Sequence, residues 1–311
     1  MEAILGVDVS SQSLDACVLN GEKTFAKAFP YTDKGCKSLV SWAKRYKAHR
    51  GVTEATGGYE AKICHLMIAE GLSVQIVNPA QVRHFAKGFG SKAKTDRIDA
   101  EMIARFAKIV PLPKPIKTSP VQLQIKQLVI RRLELKKILT AEKNRLRIAD
   151  GIILKSLQAS IAFIGSQVEN LEKELEKLYQ TDRELARKVA VLTKQKGIGM
   201  TTALALVGLV PELGHIDRKK ITALLGLAPY AKDSGKFKGK RFISGGRAEA
   251  RHSLYMPAWV ATMFDPEIKA FYQKLIGKGK KPKVAITAVM RKLLVRLNAT
   301  LRNFMQSEKN A

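Results

Sequence analysis

Four acidic residues occupy positions from which their side chains could hold a metal ion together. Asp96 and Asp99 are three residues apart in a segment with helical spacing of apolar residues, which places both carboxylates on one helix face. Asp8 and Glu54 each end a short apolar run that is typical of a strand. Grouped carboxylates repel one another, and a divalent cation relieves that repulsion. Two bound Mg²⁺ ions could then hold the attacking and leaving oxygens of a phosphoryl transfer.

Each acid also has a simpler structural explanation. Carboxylates in the first turn of a helix interact favourably with the helix dipole, which would account for Asp96 and Asp99. An acid at the end of a strand, such as Asp8, is common in proteins that bind no metal. The metal hypothesis therefore depends on all four acids meeting in one fold.

Ser234 heads a segment that is suited to contact phosphate. Glycine at Gly235 lets the backbone approach a ligand closely, and neighbouring cations can neutralise phosphate charge. The cations are Lys236, Lys238, Lys240, Arg241, Arg247 and Arg251. The hydroxyl of Ser234 could attack a phosphodiester or only donate a hydrogen bond to one. No histidine stands beside it in the sequence to activate it.

Two further segments are candidates for nucleic-acid contact. Gly197 and Gly199 lie between two helical stretches, in the arrangement of a helix-hairpin-helix motif whose backbone amides can hold a phosphate. These glycines could instead serve only the geometry of the turn, but the net charge of the chain favours phosphate binding. A basic loop containing Lys278, Lys280 and Lys281 precedes the last helical stretch, where a contact with the phosphate backbone is expected.

The composition indicates a polyanionic partner. The 311 residues include 55 Lys and Arg against 27 Asp and Glu, a net charge of +28. Such a charge favours nucleic acid and predicts binding that weakens steeply with salt. A membrane surface is disfavoured because there is no transmembrane run, signal peptide or basic amphipathic helix with bulky aromatics. Three cysteines without metal-ligand spacing are expected to be thiols in a reducing cytoplasm.

The order of predicted elements indicates an α/β first domain of the RNase H-like class. Strands are predicted at 3–9, 14–19 and 24–29, followed by a helix at 33–47, a strand at 51–54, a helix at 59–70 and a strand at 74–77. Three meandering strands followed by alternating helices and strands is the order of the RNase H-like fold. In that fold the strands ending at Asp8 and Glu54 are neighbours.

Three domains are predicted along the chain. Residues 1–117 form the RNase H-like domain with a proline-rich linker, 118–190 a helical region, and 191–311 a mainly helical domain carrying the hairpin and Ser234. Leucines at heptad spacing in the middle region predict either an antiparallel helical pair or a dimerising coiled coil.

The motifs together resemble the DEDD transposases of bacterial insertion sequences, the insertion sequence 110 family. Relatives in that family include pilin-gene invertases and bridge-RNA-guided recombinases. The resemblance covers nearly the whole chain. It rests on the runs GVDVS, TEATGGYE, VNPAQVRHFAKGFGSKAKTDRIDA, KGIGMTTA, GLAPYAKDSG and RHSLYMPAWVAT, which occur in this order.

The resemblance implies a RuvC-like first domain in which Asp8, Glu54, Asp96 and Asp99 bind Mg²⁺, or alternatively Mn²⁺. It implies that Ser234 attacks DNA and forms a transient phosphoserine link. It further implies a structured guide RNA that pairs with target and donor DNA, a dimer or tetramer of the protein, and a nucleoid-associated location in the cytoplasm.

Two other functions remain open at this stage. A structure-selective nuclease of the Holliday-junction type would use the four acids alone and would still cut DNA in a Ser234→Ala variant. A non-catalytic architectural protein would use only its basic surface, and Asp8→Ala would then change at most its stability.

Overall fold

The computed structural model describes residues 3–89, 96–112, 116, 118–231, 233–234, 237–239 and 241–310, without the side chains of 96–98, 234, 237, 238 and 309. The contacts between residues divide the chain into two compact units, Met1–Pro115 and Ile116–Ala311. The division into three domains stays a prediction.

A mixed five-stranded sheet forms the centre of the first unit. Its spatial order is β3-β2-β1-β4-β5, with β1, β2 and β3 antiparallel and both β4 and β5 parallel to β1. The strands are β1 (Ala3–Val9), β2 (Ser13–Asn20), β3 (Lys23–Pro30), β4 (Ala48–Glu54) and β5 (Ser73–Val77). This arrangement fits the RNase H-like domain that the sequence predicts.

Helices cover both faces of this sheet. The helices are α1 (Asp33–Arg45), α2 (Glu60–Ala69), α3 (Pro79–Gly88) and α4 (Asp96–Ile109). Successive side chains of a strand point to opposite faces, so β1 contributes to two separate cores. Leu5 and Val7 pack with residues of α1 and α2, whereas Ile4 packs with residues of α3 and α4. Alternate residues of β1 therefore pack on opposite faces of the sheet, one covered by α1 and α2 and the other by α3 and α4.

The second unit is mainly helical. Its helices are α5 (Pro120–Leu146), α6 (Ile152–Gln180), α7 (Arg183–Thr193), α8 (Met200–Leu209), α9 (Arg218–Leu224), α10 (Ala248–Ser253), α11 (Tyr255–Phe264), α12 (Pro266–Gly277) and α13 (Pro282–Lys309). Four two-residue strands lie between α9 and α10: β6 (Pro229–Tyr230), β7 (Asp233–Ser234), β8 (Phe237–Lys238) and β9 (Phe242–Ile243). Helix α8 is apolar on all sides and is buried among the others, as expected of a central helix.

Helices α5 and α6 pack against each other within the chain. A short turn at 147–151 reverses the direction between them. Leu139 of α5 and Leu175 of α6, which belong to the leucines at heptad spacing, are both buried. Arg132 of α5 and Glu172 of α6 approach to 2.6 Å, which joins the two helices side by side. Of the two arrangements that the heptads allow, the chain therefore contains the antiparallel pair; a dimerising coiled coil stays a prediction.

Two general expectations about the chain can be compared with this structure. Cys17, Cys36 and Cys64 are buried, and no disulfide joins them in the described part of the chain. None of the described helices combines the length and apolar character needed to cross a membrane.

Candidate active site

Asp8 and Glu54 lie at one edge of the sheet, at the carboxyl ends of neighbouring parallel strands. The pairing of β1 with β4 runs through Val7 and Thr53, and the next residue of each strand is an acid. Val52, two residues before Glu54, packs in the core beneath α3 and α4. Because strand side chains alternate, Glu54 and its neighbour Asp8 face α4, where both are half-buried.

Helix α4 crosses this face with its first turn toward Asp8. Ile4 shares a core with Phe106, near the end of α4, whereas Gly6 lies against Ala100, near its start. A Cβ atom added at Gly6 would come within 2.3 Å of the Ala100 carbonyl oxygen. The helix therefore runs opposite to β1, and its amino-terminal turn lies toward the edge that carries Asp8.

Asp96 and Asp99 belong to that amino-terminal turn. Helix α4 begins at Asp96, whose side chain is outside the description, and the side chain of Asp99 is half-buried. Among the described side chains, no three of the Asp, Glu, His and Cys type come close enough to hold a metal ion. The chemistry of the acids nonetheless fits Mg²⁺, which prefers carboxylate oxygens. The backbone thus brings the four positions to one end of one face, and metal binding by them stays a prediction.

A fifth acid faces the same side, and the sequence analysis missed it. Asp15 on β2 pairs directly with Asp8 on β1 in the antiparallel register, so both side chains face α4. The hydroxyl of Ser13 donates a hydrogen bond of 3.4 Å to Asp15 Oδ2. The signal for this pair was present in the sequence, because Asp8 and Asp15 are equally distant from the short turn that joins the two strands.

Ser234 lies in a small double hairpin. Strand β6 pairs with β9, and inside this outer pair β7 pairs with β8, so that Ser234 is opposite Phe237. Asp233, just before the serine, accepts hydrogen bonds from Arg241 Nη1 at 2.7 Å and from the Gly239 amide at 3.1 Å. The hydrogen bond from Arg241 holds the pKa of the Asp233 carboxyl below its usual value. These bonds join the two sides of the inner hairpin.

The double hairpin grows from a closely packed base. Gly226 and Gly246 have φ values of +64° and +71°, and a Cβ at Gly246 would come within 2.1 Å of the Gly226 nitrogen. Only glycine tolerates that combination of backbone conformation and close approach. The Arg247 amide donates a hydrogen bond of 2.9 Å to the Leu224 carbonyl, which closes the base beside this crossing.

Two of the arginines predicted to contact nucleic acid stabilise this base. Both Nη atoms of Arg247 donate hydrogen bonds of 2.6 Å to the carboxylate of Glu212. Arg251 Nη1 donates to the carbonyl oxygens of Leu225, at 3.0 Å, and Gly245, at 2.7 Å. Their structural contacts explain both residues, and a role in binding stays a prediction.

The structure describes the hairpin glycines and the basic loop before the last helix. Gly197 has a φ of +89° and packs against the backbone of α11. A Cβ atom added at Gly197 would lie 2.8 Å from the carbonyl oxygen of Pro257. Gly199 precedes α8 in open space and bears no such contact within 4 Å. The lysines at 278, 280 and 281 are exposed between α12 and α13. The predicted contacts of Gly235, Lys236 and Lys240 fall outside the described residues, as do the side chains of Ser234 and Lys238.

Two models of known protein families match this chain, one over the segment that contains the four acids and one over the segment that contains Ser234. A family model described as Transposase, for the DEDD transposases of IS110, matches residues 5–149, and the model described as Transposase IS116/IS110/IS902 family matches residues 189–273. The first contains all four acids and the second contains Ser234.

Two of the individual relatives match nearly the whole chain. The pilin gene-inverting proteins of Moraxella lacunata and Moraxella bovis are each 27% identical over 96% of this chain and 95% of their own length. A 43.6 kDa protein of the insertion element IS110 of Streptomyces coelicolor is 26% identical over 49% of this chain and 37% of its own.

Among solved structures, T. thermophilus RuvC in complex with a Holliday junction substrate matches at 14% identity. The match has a TM-score of 0.27 and covers 35% of this chain and 96% of that one.

Proposed function

We propose that this chain, which belongs to the IS110 family of transposases and is a DNA recombinase, cuts and rejoins DNA through a covalent serine intermediate. The nucleophile is Ser234, and the ligands of a divalent metal centre are Asp8, Glu54, Asp96 and Asp99. The observation that carries this proposal is the common edge of Asp8 and Glu54, toward which the first turn of α4 points.

The chemistry conserves phosphodiester bonds. The Ser234 oxygen loses its proton and attacks the phosphorus, and the bond from phosphorus to one deoxyribose oxygen breaks as that oxygen takes up a proton. Attack by a hydroxyl of the partner DNA strand then releases the serine and forms a new phosphodiester. Because each bond broken is replaced by one of the same kind, no external energy source is needed. Bound Mg²⁺ would stabilise the negative charge that develops on the phosphate oxygens.

The proposal includes two partners besides DNA. A structured guide RNA selects the target and donor sequences, as in the bridge-RNA-guided members that the sequence resembles. A dimer or tetramer of this chain brings the two DNA partners together. The positive charge of +28 supports contact with two nucleic acids at once.

A denaturing gel tests the covalent step. The purified chain is incubated with Mg²⁺, with the RNA that is co-expressed with it, and with labelled DNA that spans the junction of its insertion element. A protein–DNA adduct is expected. Ser234→Ala should remove the adduct, whereas Ser244→Ala, the same chemical change in the same segment, should keep it. Asp8→Asn should also remove the adduct, and RNase treatment should prevent it if RNA selects the DNA.

Two results of this experiment would contradict the proposal. Cleavage without any adduct, unchanged in Ser234→Ala, would identify a metal-dependent nuclease in which the serine only contacts phosphate. An adduct that persists in Asp8→Asn would exclude the carboxylate centre from the reaction.

A further inference from the structure

A basic groove lies on the first unit, on the face of the sheet opposite the acids. It lies between the edge strand β3 and helix α1, is open to solvent and has a volume of about 650 Å³. We call it the α1 groove and define it by Lys27, Phe29, Lys34, Lys37, Trp42 and Arg45. Phe29 packs in the core shared with α1 and α2, which is the face away from Asp8.

The polar side chains of α1 form one continuous row along the groove. Lys34, Ser38, Ser41 and Arg45 follow one another at intervals of three or four residues, so they lie on one side of the helix. At a rise of about 1.5 Å per residue this row is about 16 Å long. It can therefore follow a polymer over several repeats rather than enclose a single small ion.

Cations outnumber acids in the described lining of the groove, where Asp33 is the one carboxylate. Asp33, which lines the groove, is paired with Lys62 at 2.6 Å. Within the described part of the chain, no ion pair within 4 Å involves Lys27, Lys34, Lys37 or Arg45, although Lys37 is close enough to Asp33 to help lower the pKa of that carboxyl. An excess of cations around one groove attracts anions, and an anionic polymer is a ligand that could contact several of these cations at once.

Aromatic side chains form the floor of the groove. The rings of Phe29 and Trp42 lie 5.6 Å apart, and the ammonium of Lys27 is 5.3 Å from the centre of the Phe29 ring. Trp42 keeps part of its indole exposed. Proteins that bind a single nucleic-acid strand usually combine two features. Cations follow the phosphate backbone of the strand, and an aromatic ring beside them stacks with its bases.

From this row of cations and its aromatic floor we infer that the α1 groove binds an unpaired nucleic-acid strand, remote from the carboxylates. Recombination necessarily separates paired strands, and a guide RNA would also supply unpaired segments. The shared ligand chemistry is a phosphodiester backbone with accessible bases. The inference depends on the activity on DNA and is independent of the Ser234 and metal chemistry.

Trp42 provides a local measurement of binding. The chain contains two tryptophans, so the Trp259→Phe variant of the full protein leaves Trp42 as the only indole. An oligothymidylate of about 15 nucleotides, a length that spans such sites, should quench its fluorescence by base stacking. Stronger quenching by the matching oligouridylate would identify RNA as the natural source, and stronger quenching by the DNA oligomer would identify DNA. Unchanged fluorescence at saturating oligonucleotide, or quenching by duplex DNA alone, would overturn the inference.

Charge variants provide a second and independent measurement. Lys34→Gln combined with Lys37→Gln should weaken oligothymidylate binding about tenfold and reduce the salt slope by about 1.4, since each lost phosphate contact contributes about 0.7. The control Lys44→Gln combined with Lys87→Gln removes the same charge from the same unit, outside the groove. Equal losses in both double variants would contradict the inference. Circular dichroism melting confirms that both variants fold. The Ser234 adduct of the wild-type protein, assayed on the same preparation, tests the proposed chemistry separately.

Discussion

Gly6 lies so close to α4 that a side chain at this position would displace the helix. In Gly6→Ala the new Cβ would meet backbone atoms of Ala100 and Ala104, at 2.3 and 2.7 Å. Backbone cannot move aside as a flexible side chain does, so we expect a loss of about 3 kcal/mol in the free energy of unfolding, measured by urea titration. The control Gly165→Ala, in open space on α6, should instead stabilise the chain by up to about 1 kcal/mol. Equal effects at both positions would contradict the packing of α4 against β1.

Asp265 makes the second unit sensitive to acid. Burial by itself would raise the pKa of this carboxyl, but the Ile268 amide and Arg296, at 2.6 Å, outweigh burial and bring the pKa below its usual value. A carboxyl whose pKa is lower in the folded state stabilises that state above the unfolded pKa, about 4, and loses this contribution as the pH falls.

The melting temperature measured from pH 7 down to pH 3 should therefore decrease at the acidic end. Asp265→Asn should be less stable at pH 7 and should show a smaller decrease on acidification. A variant with the wild-type pH dependence would show that another group is responsible.

At the scale of elements, the double hairpin depends on its base. Arg247 binds Glu212 through two nitrogens and also donates to the Leu209 carbonyl. Lysine cannot make this forked contact, so Arg247→Lys should loosen the base, with a loss of about 1 kcal/mol. Chymotrypsin should then cleave after Phe242 faster than in the wild type. Arg218→Lys, an exposed change at the start of α9, is the matched control and should leave the rate of cleavage unchanged.

Much of the first unit could be predicted from the sequence because its signals are local. Apolar runs and the turn at Asn20 and Gly21 were sufficient to predict the strands and their order, which the structure confirms. The common edge of Asp8 and Glu54 followed from that order. The close packing of α4 against Gly6 could not be predicted. It depends on backbone atoms of Ala100 and Ala104, which are distant from Gly6 in the sequence and leave no room for a Cβ atom there.

Contacts between residues distant in the sequence could not be predicted, and each such case has a physical reason. Arg247 and Arg251 look like phosphate ligands beside a glycine-rich loop, but their internal acceptors, Glu212 and the carbonyl of Leu225, lie far away in the sequence. Asp15 was overlooked because an acid in a strand has no significance until its register places it opposite Asp8. The α1 groove requires both the helix and the edge strand, and neither contains a recognisable motif alone.

At the scale of the whole molecule, net charge should determine how binding responds to salt. A chain of +28 releases many counterions when it covers DNA. If it covers six to ten phosphates, its affinity for duplex DNA should fall at least about a thousandfold between roughly 50 and 200 mM salt. Fluorescence anisotropy at several salt concentrations measures this slope. A nearly flat dependence would show that the basic surface is not the binding surface.

The tip of the α5–α6 pair is the expected contact between copies of the chain. Ile148 and Ile152 are 89% and 94% exposed there, while the heptad residues are used between the two helices. Neighbouring exposed apolar side chains indicate a protein interface. Ile148→Ser combined with Ile152→Ser should therefore shift the assembly to smaller species in light scattering coupled to gel filtration. Val284→Ser, an exposed change elsewhere in this unit, should leave the mass unchanged, and equal masses in all three proteins would exclude the tip as the contact.

The alternation of side chains along β1 restricts how the length of this chain can change in evolution. A residue inserted or deleted within β1 would turn Asp8 into the apolar core beneath α1 and would turn a valine toward α4. A Cβ atom at Gly21 would meet no described atom within 4 Å, and the hydrogen bond that the Gly21 carbonyl oxygen accepts from Lys108 is exposed, so residues added there can leave every strand in place. Descendants of this sequence can therefore gain or lose residues at the turn after β2, while the strand that bears Asp8 keeps its length from Ala3 to Val9.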